Sequence, residues 1–423
     1  MKILHISTYD KGGAATACIR LHEGLLNAGI DSKVLVLNKT KENIPEVYEY
    51  FYNKKSFFYR LKNKIHQTLN KFNLYNKFFD ISKYEQYKLQ NIRPEGLIMI
   101  SFPMSNFNIT NNSYFKEADI IHLHWVANFL DYKTFFNKCQ KPIIWTFHDQ
   151  NPFLGLEHCP EKYLNPNKQG IPIPRQFSNY EIEIENKYKQ IKYEIFKNKS
   201  LNIIALCNWI KNEINNSKMF PLANINLIPN GIDSKQFIIL NKTFCRELLG
   251  LPLKKKIILF VADYNCILKG FNYLLNAIEK IKDENILVCS IGNDDVVQYA
   301  NKCYCELGKF NDYRLMNIAY SAADVFLIPS LIDNLPNTVI ESLLSGTPVI
   351  SFPIGGMIDM IKHKKNGYLT DELNTNSLSD SIKHFFNEGI EWNYDEIRKD
   401  AIERYDISVQ VKNIIQLYNS IIN

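Results

Sequence analysis

No run in this 423-residue chain approaches the roughly 18 apolar residues that a membrane-crossing helix takes. The opening MKILHISTYDKGG has one short apolar stretch, then charge and glycine, and lacks the apolar segment of a signal peptide. The nine cysteines contain no Cys-x-x-Cys pair, and Cys303 and Cys305 stand at a spacing without zinc logic. We therefore expect reduced thiols and a cytoplasmic protein. A strong charge of one sign is missing too: the formal net charge is +6, too small over this length to argue for nucleic acid. There is no short-period repeat and no flexible linker. The fingerprint Gly-x-Gly-x-x-Gly is absent, and the second strand ends Val36-Leu37-Asn38-Lys39 with no acid to hold a ribose, which counts against a nicotinamide cofactor.

What is present is an alternation of strand-like and helix-like segments. KILHIS, DSKVLVL, DIIHLHW (119–125), KPIIWTFH (141–148), LNIIALC (201–207) and INLIPN (225–230) read as strands, with helical stretches between most of them. After Asn230-Gly231-Ile232-Asp233 the pattern restarts with strands at 255–263, 284–292, 323–330 and 347–352. A single core rarely grows past about 250–300 residues, so two domains are expected. The alternation predicts an α/β protein with two doubly wound parallel sheets, divided near residue 235. The expected units are 1–235 and 236–405, with the last helix, within 406–423, packing back on the first unit.

The stretch SLIDNLPNTVIESLLSGTPVISF (330–352) is the most informative. It places a polar turn at the carboxyl end of a parallel strand, where open α/β sheets bind ligands. Asp333 lies in the turn and Glu341 in the first turns of the following helix, eight positions on. Amides from Asn334 through Leu335 to Asn337 and Thr338 lie near that helix's N-terminus and suit an anion, while the carboxylates suit sugar or ribose hydroxyls. The competing reading is local: Asn337 caps the helix and Glu341 complements its dipole. Gly12-Gly13 after the first strand permits close backbone approach to a ligand.

The same stretch resembles the retaining glycosyltransferases of family 4, whose signature is a glutamate, seven residues, a glutamate, then Gly-x-Pro-Val. Here the first acid is Asp333, the second Glu341, and the tail is Gly346-Thr347-Pro348-Val349. The Asp-Asn-Leu-Pro-Asn variant resembles enzymes of bacterial capsule and exopolysaccharide assembly. Other segments agree, from residue 1 to about 370: Gly12-Gly13, Trp145-Thr146-Phe147-His148-Asp149, Ile228-Pro229-Asn230-Gly231-Ile232-Asp233, Lys269-Gly270-Phe271, Gly355-Gly356 and Asn366-Gly367.

The resemblance implies a GT-B fold, two Rossmann-like domains facing a cleft, and transfer of a sugar with retention of configuration. It implies a nucleotide-diphosphate sugar as donor and a glycan or lipid-linked hydroxyl as acceptor, with no cofactor and no metal. Lys269 would bind the diphosphate, Glu341 the ribose and Asp333 the sugar, with His148 near the reacting carbon; Gly12, Gly13, Asn334, Leu335, Asn337 and Thr338 would complete the donor site. The family commonly has an arginine five residues before this lysine; here Tyr264 stands there and lacks a guanidinium fork.

His122, His124 and Trp125 are expected to line the acceptor side of the cleft. The alternative is a metal site built with His148, His158 and Cys159. Residues 51–90 hold nine Lys/Arg, two acids and eleven aromatics. They are read either as an ordinary insertion or as a basic aromatic surface that holds the protein at the inner face of the membrane. Two other functions fit the same motifs: a sugar-nucleotide epimerase of this fold, and a non-catalytic nucleotide-sugar or glycan-binding protein.

Overall fold

The computed structural model describes residues 1–51, 81–262, 266–292 and 303–422. Tyr264 and most of the basic aromatic segment, residues 52–80, lie outside the described residues.

The first strand, β1 (Lys2–Tyr9), is almost wholly buried, as expected of an apolar run covered on both faces. It turns at Gly12, whose φ of 92° is open to glycine, into helix α1 (Gly13–Asn27). The helix leads back to β2 (Asp31–Asn38). With β3 (Val47–Glu49), β4 (Ile120–Leu123), β5 (Ile143–Phe147), β6 (Asn202–Ala205) and β7 (Asn224–Leu227), these strands form one sheet in the order β3-β2-β1-β4-β5-β6-β7. Every pairing in it is parallel. Helix α2 (Asn179–Phe196) opens with a capping box between Ser178 and Glu181.

The second sheet repeats the plan. Strands β8 (Lys256–Val261), β9 (Ile286–Ile291), β10 (Tyr304–Glu306), β11 (Val325–Ile328), β12 (Val349–Ser351) and β13 (Gly367–Leu369) run in the order β10-β9-β8-β11-β12-β13, again all parallel. In both sheets the chain starts centrally, winds outward one way, then returns and winds the other. The switch falls between β1 and β4, and between β8 and β11, and open sheets bind ligands outside the strand ends at such switches. Helices α3 (Phe271–Ile281) and α4 (Asn337–Leu344) follow β8 and β11. This is the GT-B arrangement.

The last helix, α5 (Ile407–Ile422), returns to the first lobe. A Cβ on Gly24 of α1 would lie 2.7 Å from Val411, so the two helices touch closely. Tyr418 reaches through to within 2.7 Å of His122 Nδ1 in the first sheet.

The core is dense and aromatic. Trp145 is 1% exposed and packs against Phe136, Phe147 and Phe196. Its replacement by alanine would cost about 3–5 kcal/mol. That packing fixes β5, whose end carries His148. Among the described residues no helix is long and apolar enough to cross a membrane.

Candidate active site

The loop after β5 is held from below by a buried lysine. Lys192 of α2 donates to the carbonyl oxygens of Asn151 (2.6 Å) and Leu154 (2.9 Å). Burial pushes its amine down to about 7, against the opposing pull of Glu185 and Asp149. Above it Asp149 accepts from Trp125 Nε1 (2.7 Å) and meets His158 Nδ1 (2.5 Å). Burial works against the Asp149 charge, but His158, the Asn151 amide and Trp125 hold its carboxyl below the usual range.

His148 is therefore not oriented by its neighbour Asp149. Its Nε2 lies 3.1 Å from Nδ1 of His124, whose Nε2 lies 2.9 Å from Nδ1 of His5. Burial pushes His148 down to about 4 and holds His5 and His124 well below the usual imidazole range, so this row of imidazoles is neutral at pH 7.

The opposing lobe supplies Lys269 and Asp333. Lys269 ends a short turn before α3, and Gly270 follows with φ 73°. A Cβ at Gly270 would lie 1.8 Å from the Pro329 carbonyl, so only glycine lets this turn meet the end of β11. That contact brings Lys269 Nζ to 2.8 Å from Asp333 Oδ2. Burial works against the ammonium, but Asp333 more than offsets it and raises the Lys269 pKa. The Gly355-Gly356 pair backs the Asp333 turn in the same way. Cβ atoms there would lie 1.9 Å from the Asp333 carbonyl and 1.6 Å from that of Asn334.

His148, Lys269 and Asp333 line one hollow of about 270 Å³, with Trp125, Asp149, His158, Cys159 and Asn334 among its other walls. Gly12 and Gly13 line a second hollow of about 270 Å³, which shares Trp125. Glu341 stands apart from both. It is 8% exposed, and its carboxylate accepts from Arg20 Nη2 (2.9 Å) and Tyr320 Oη (3.3 Å).

The two lobes touch through several of the expected site residues. Asn337 does not cap α4 with its side chain. Its Nδ2 donates to the Gly13 carbonyl (3.1 Å), and its Oδ1 faces Asn230 Nδ2 (3.3 Å). Asn334 donates to the carbonyls of Phe147 (2.9 Å) and His148 (3.2 Å), so its side chain staples the lobes and only its backbone remains for a ligand. Leu335 is buried, and Thr338 is half-buried in the first turn of α4.

Both halves of the chain match family models. Residues 87–236 match "Glycosyltransferase Family 4", and residues 255–388 match "Glycosyl transferases group 1". The chain belongs to these glycosyltransferases. It is 24% identical over 321 residues to an uncharacterised glycosyltransferase of Methanocaldococcus jannaschii, covering 71% of this chain and 75% of that one. It is 24% identical over 204 residues to the phosphatidyl-myo-inositol mannosyltransferase of Mycobacterium leprae, covering 46% of this chain and about half (53%) of the relative. Among solved structures, sucrose-phosphate synthase from Thermosynechococcus elongatus superposes with TM-score 0.67 at 16% identity, covering 99% of both chains. The Anabaena protein HepE, in complex with UDP and glucose, superposes with TM-score 0.66 at 15% identity, covering 99% of this chain and 100% of that one.

One expectation for this glycosyltransferase needs correction. His122 and His124 do not line the cleft. They are 0% and 3% exposed, stacked at 4.4 Å inside the sheet, and His122 bonds Tyr418 and Thr146. Of that trio, Trp125 alone lines the two hollows described above. The alternative metal set of His122, His124, His148, His158 and Cys159 does not supply a close group of three donors among the described residues. His158 is committed to Asp149, while the donor atoms that come within 4.8 Å of one another belong to His5, Cys18 and His124. Arg20 was missed altogether. Its one sequence signal is a charge set in the apolar run Ala17-Cys18-Ile19-Arg20-Leu21, whose other members are buried.

Proposed function

We propose that this glycosyltransferase moves a sugar from a nucleotide-diphosphate sugar to a hydroxyl of a glycan or lipid-linked acceptor, with retention, in bacterial surface polysaccharide assembly. The observation that carries the reading is the meeting of Lys269, Asp333 and His148, from two lobes, in one hollow. The UDP and glucose held by the HepE neighbour support a donor of this class.

In this reading Lys269 leaves Asp333 for the diphosphate and stabilises the charge that grows on it as the glycosidic bond stretches. Asp333 is then free to accept hydroxyl hydrogen bonds from the sugar. His148, kept neutral by burial, adds a hydrogen bond at the same sugar from the opposite lobe. Glu341 accepts from the ribose hydroxyls. The leaving phosphate takes the acceptor's proton, and the acceptor attacks from the same face. An ammonium group and helix-end amides meet the phosphates, so no metal is called for. Lobe contacts such as Asn334 with the His148 carbonyl (3.2 Å) exclude water and limit wasteful donor hydrolysis.

The test is product formation from labelled nucleotide sugars with and without a polysaccharide or lipid-linked acceptor. Acceptor-dependent release of nucleoside diphosphate with a new glycosidic bond supports transfer. A modified nucleotide sugar formed without acceptor makes the protein an epimerase.

A further inference from the structure

Helices α1 and α4 come from different lobes and lie with their first turns together. Asn337 Nδ2 holds the Gly13 carbonyl at 3.1 Å. One turn further along α4, Glu341 meets Arg20, two turns along α1, at 2.9 Å. The Arg20 side chain is 17% exposed, and it uses Nη2 on Glu341. Its other terminal nitrogen, Nη1, is buried and has no hydrogen-bond partner among the described residues. A buried guanidinium N–H without an acceptor is costly, because it has lost water and gained nothing. The planar fork can hold two oxygens at once, and here one arm lacks an acceptor.

Two cation–carboxylate pairs thus stand near the lobe boundary, Lys269–Asp333 within one lobe and Arg20–Glu341 across the two. A diphosphate carries more charge than one ammonium neutralises, and the first turns of two helices favour an anion beside Gly13. We propose that Arg20 is a donor-binding residue: its unpartnered Nη1 takes a phosphate oxygen of the nucleoside diphosphate while Glu341 turns to the ribose. The first lobe thereby supplies a cation to the leaving group, and donor binding replaces a direct lobe-to-lobe ion pair with one bridged by the ligand. This rests on the donor reading given above.

The experiment is titration of UDP, GDP and ADP, and of uridine, guanosine and adenosine, into wild type, Arg20→Ala, Arg20→Gln, Arg20→Lys and Lys269→Ala. Each variant is first checked for wild-type circular dichroism and a cooperative melt. For the diphosphate that binds wild type, loss of a charge-assisted hydrogen bond weakens Arg20→Ala and Arg20→Gln about 10- to 100-fold. Arg20→Lys recovers part of this, and the matching nucleoside binds all Arg20 variants alike. If Arg20→Ala unfolds, Arg20→Gln, which keeps most of the packing, gives the result. Diphosphate affinity unchanged or tighter in the Arg20 variants, with Lys269→Ala weakened, makes Arg20 a strut between lobes and overturns this inference alone. If no diphosphate binds wild type, the donor reading itself falls, and this one with it.

Discussion

Lys269 Nζ sits 2.8 Å from Asp333 Oδ2 at the mouth of β11, so the cation and the carboxylate expected to face different parts of the donor are paired with each other. Their separation on donor binding is the event the proposed chemistry depends on. Asp333→Asn keeps the shape and removes the charge. Turnover is expected to fall by more than tenfold while donor affinity changes by less, because the interaction strengthens in the transition state. Steady-state kinetics with direct donor titration checks this. Equal effects on both would remove Asp333 from the reaction centre.

Glu341→Ala is expected to raise the donor dissociation constant about 10- to 100-fold, since hydroxyls that bonded a carboxylate lose their acceptor. Calorimetric titration reads it directly. Unchanged affinity would mean that the Glu341 carboxylate serves Arg20 and Tyr320 alone.

Much of this was legible in the sequence, and the reason is physical. Strands buried on both faces read as apolar runs, so β1, β4, β5 and β8 stood out, and glycines such as Gly12 marked turns from strand to helix. The position of Asp333 followed from the strand–turn–helix order. Side chains that act across the cleft left no local trace. Asn334 read as part of an amide nest, but its side chain binds the Phe147 and His148 carbonyls, far away in sequence. His122 and His124 read as cleft residues because a strand places them on one face. Nothing in the strand says that α5 will cover that face with Tyr418.

Stability should fall on the acid side because of these histidines. Burial pushes His122 down to about 3 and His148 to about 4, and holds His5 and His124 well below the usual range. An unfolded imidazole titrates near 6.5. Between about pH 6.5 and 4 the unfolded chain therefore binds protons that the folded chain refuses, and stability drops as pH falls. The slope approaches about 1.4 kcal/mol per pH unit for each such histidine. Above about pH 7 these groups contribute no slope. Denaturant melts from pH 5 to 8 test it. Constant stability down to pH 5 would contradict the burial of the row.

Metal independence is tested by chelation. Transfer is expected to continue unchanged after EDTA treatment, because the proposed donor site meets the phosphates with Lys269 and the amides at the start of α4. Loss of transfer restored by zinc or another divalent ion would return attention to the donor atoms of His5, Cys18 and His124, grouped within 4.8 Å.

The central claim is that the hollow between the lobes binds a nucleotide sugar through Lys269. Thermal melts of wild type and Lys269→Ala against a panel of UDP-, GDP- and ADP-sugars test it most directly, since a ligand that binds the folded state raises the melting temperature with concentration. We expect at least one donor to stabilise wild type in a saturable way and Lys269→Ala far less. A panel in which no donor shifts wild type at millimolar concentration, or in which both proteins respond alike, would contradict the account.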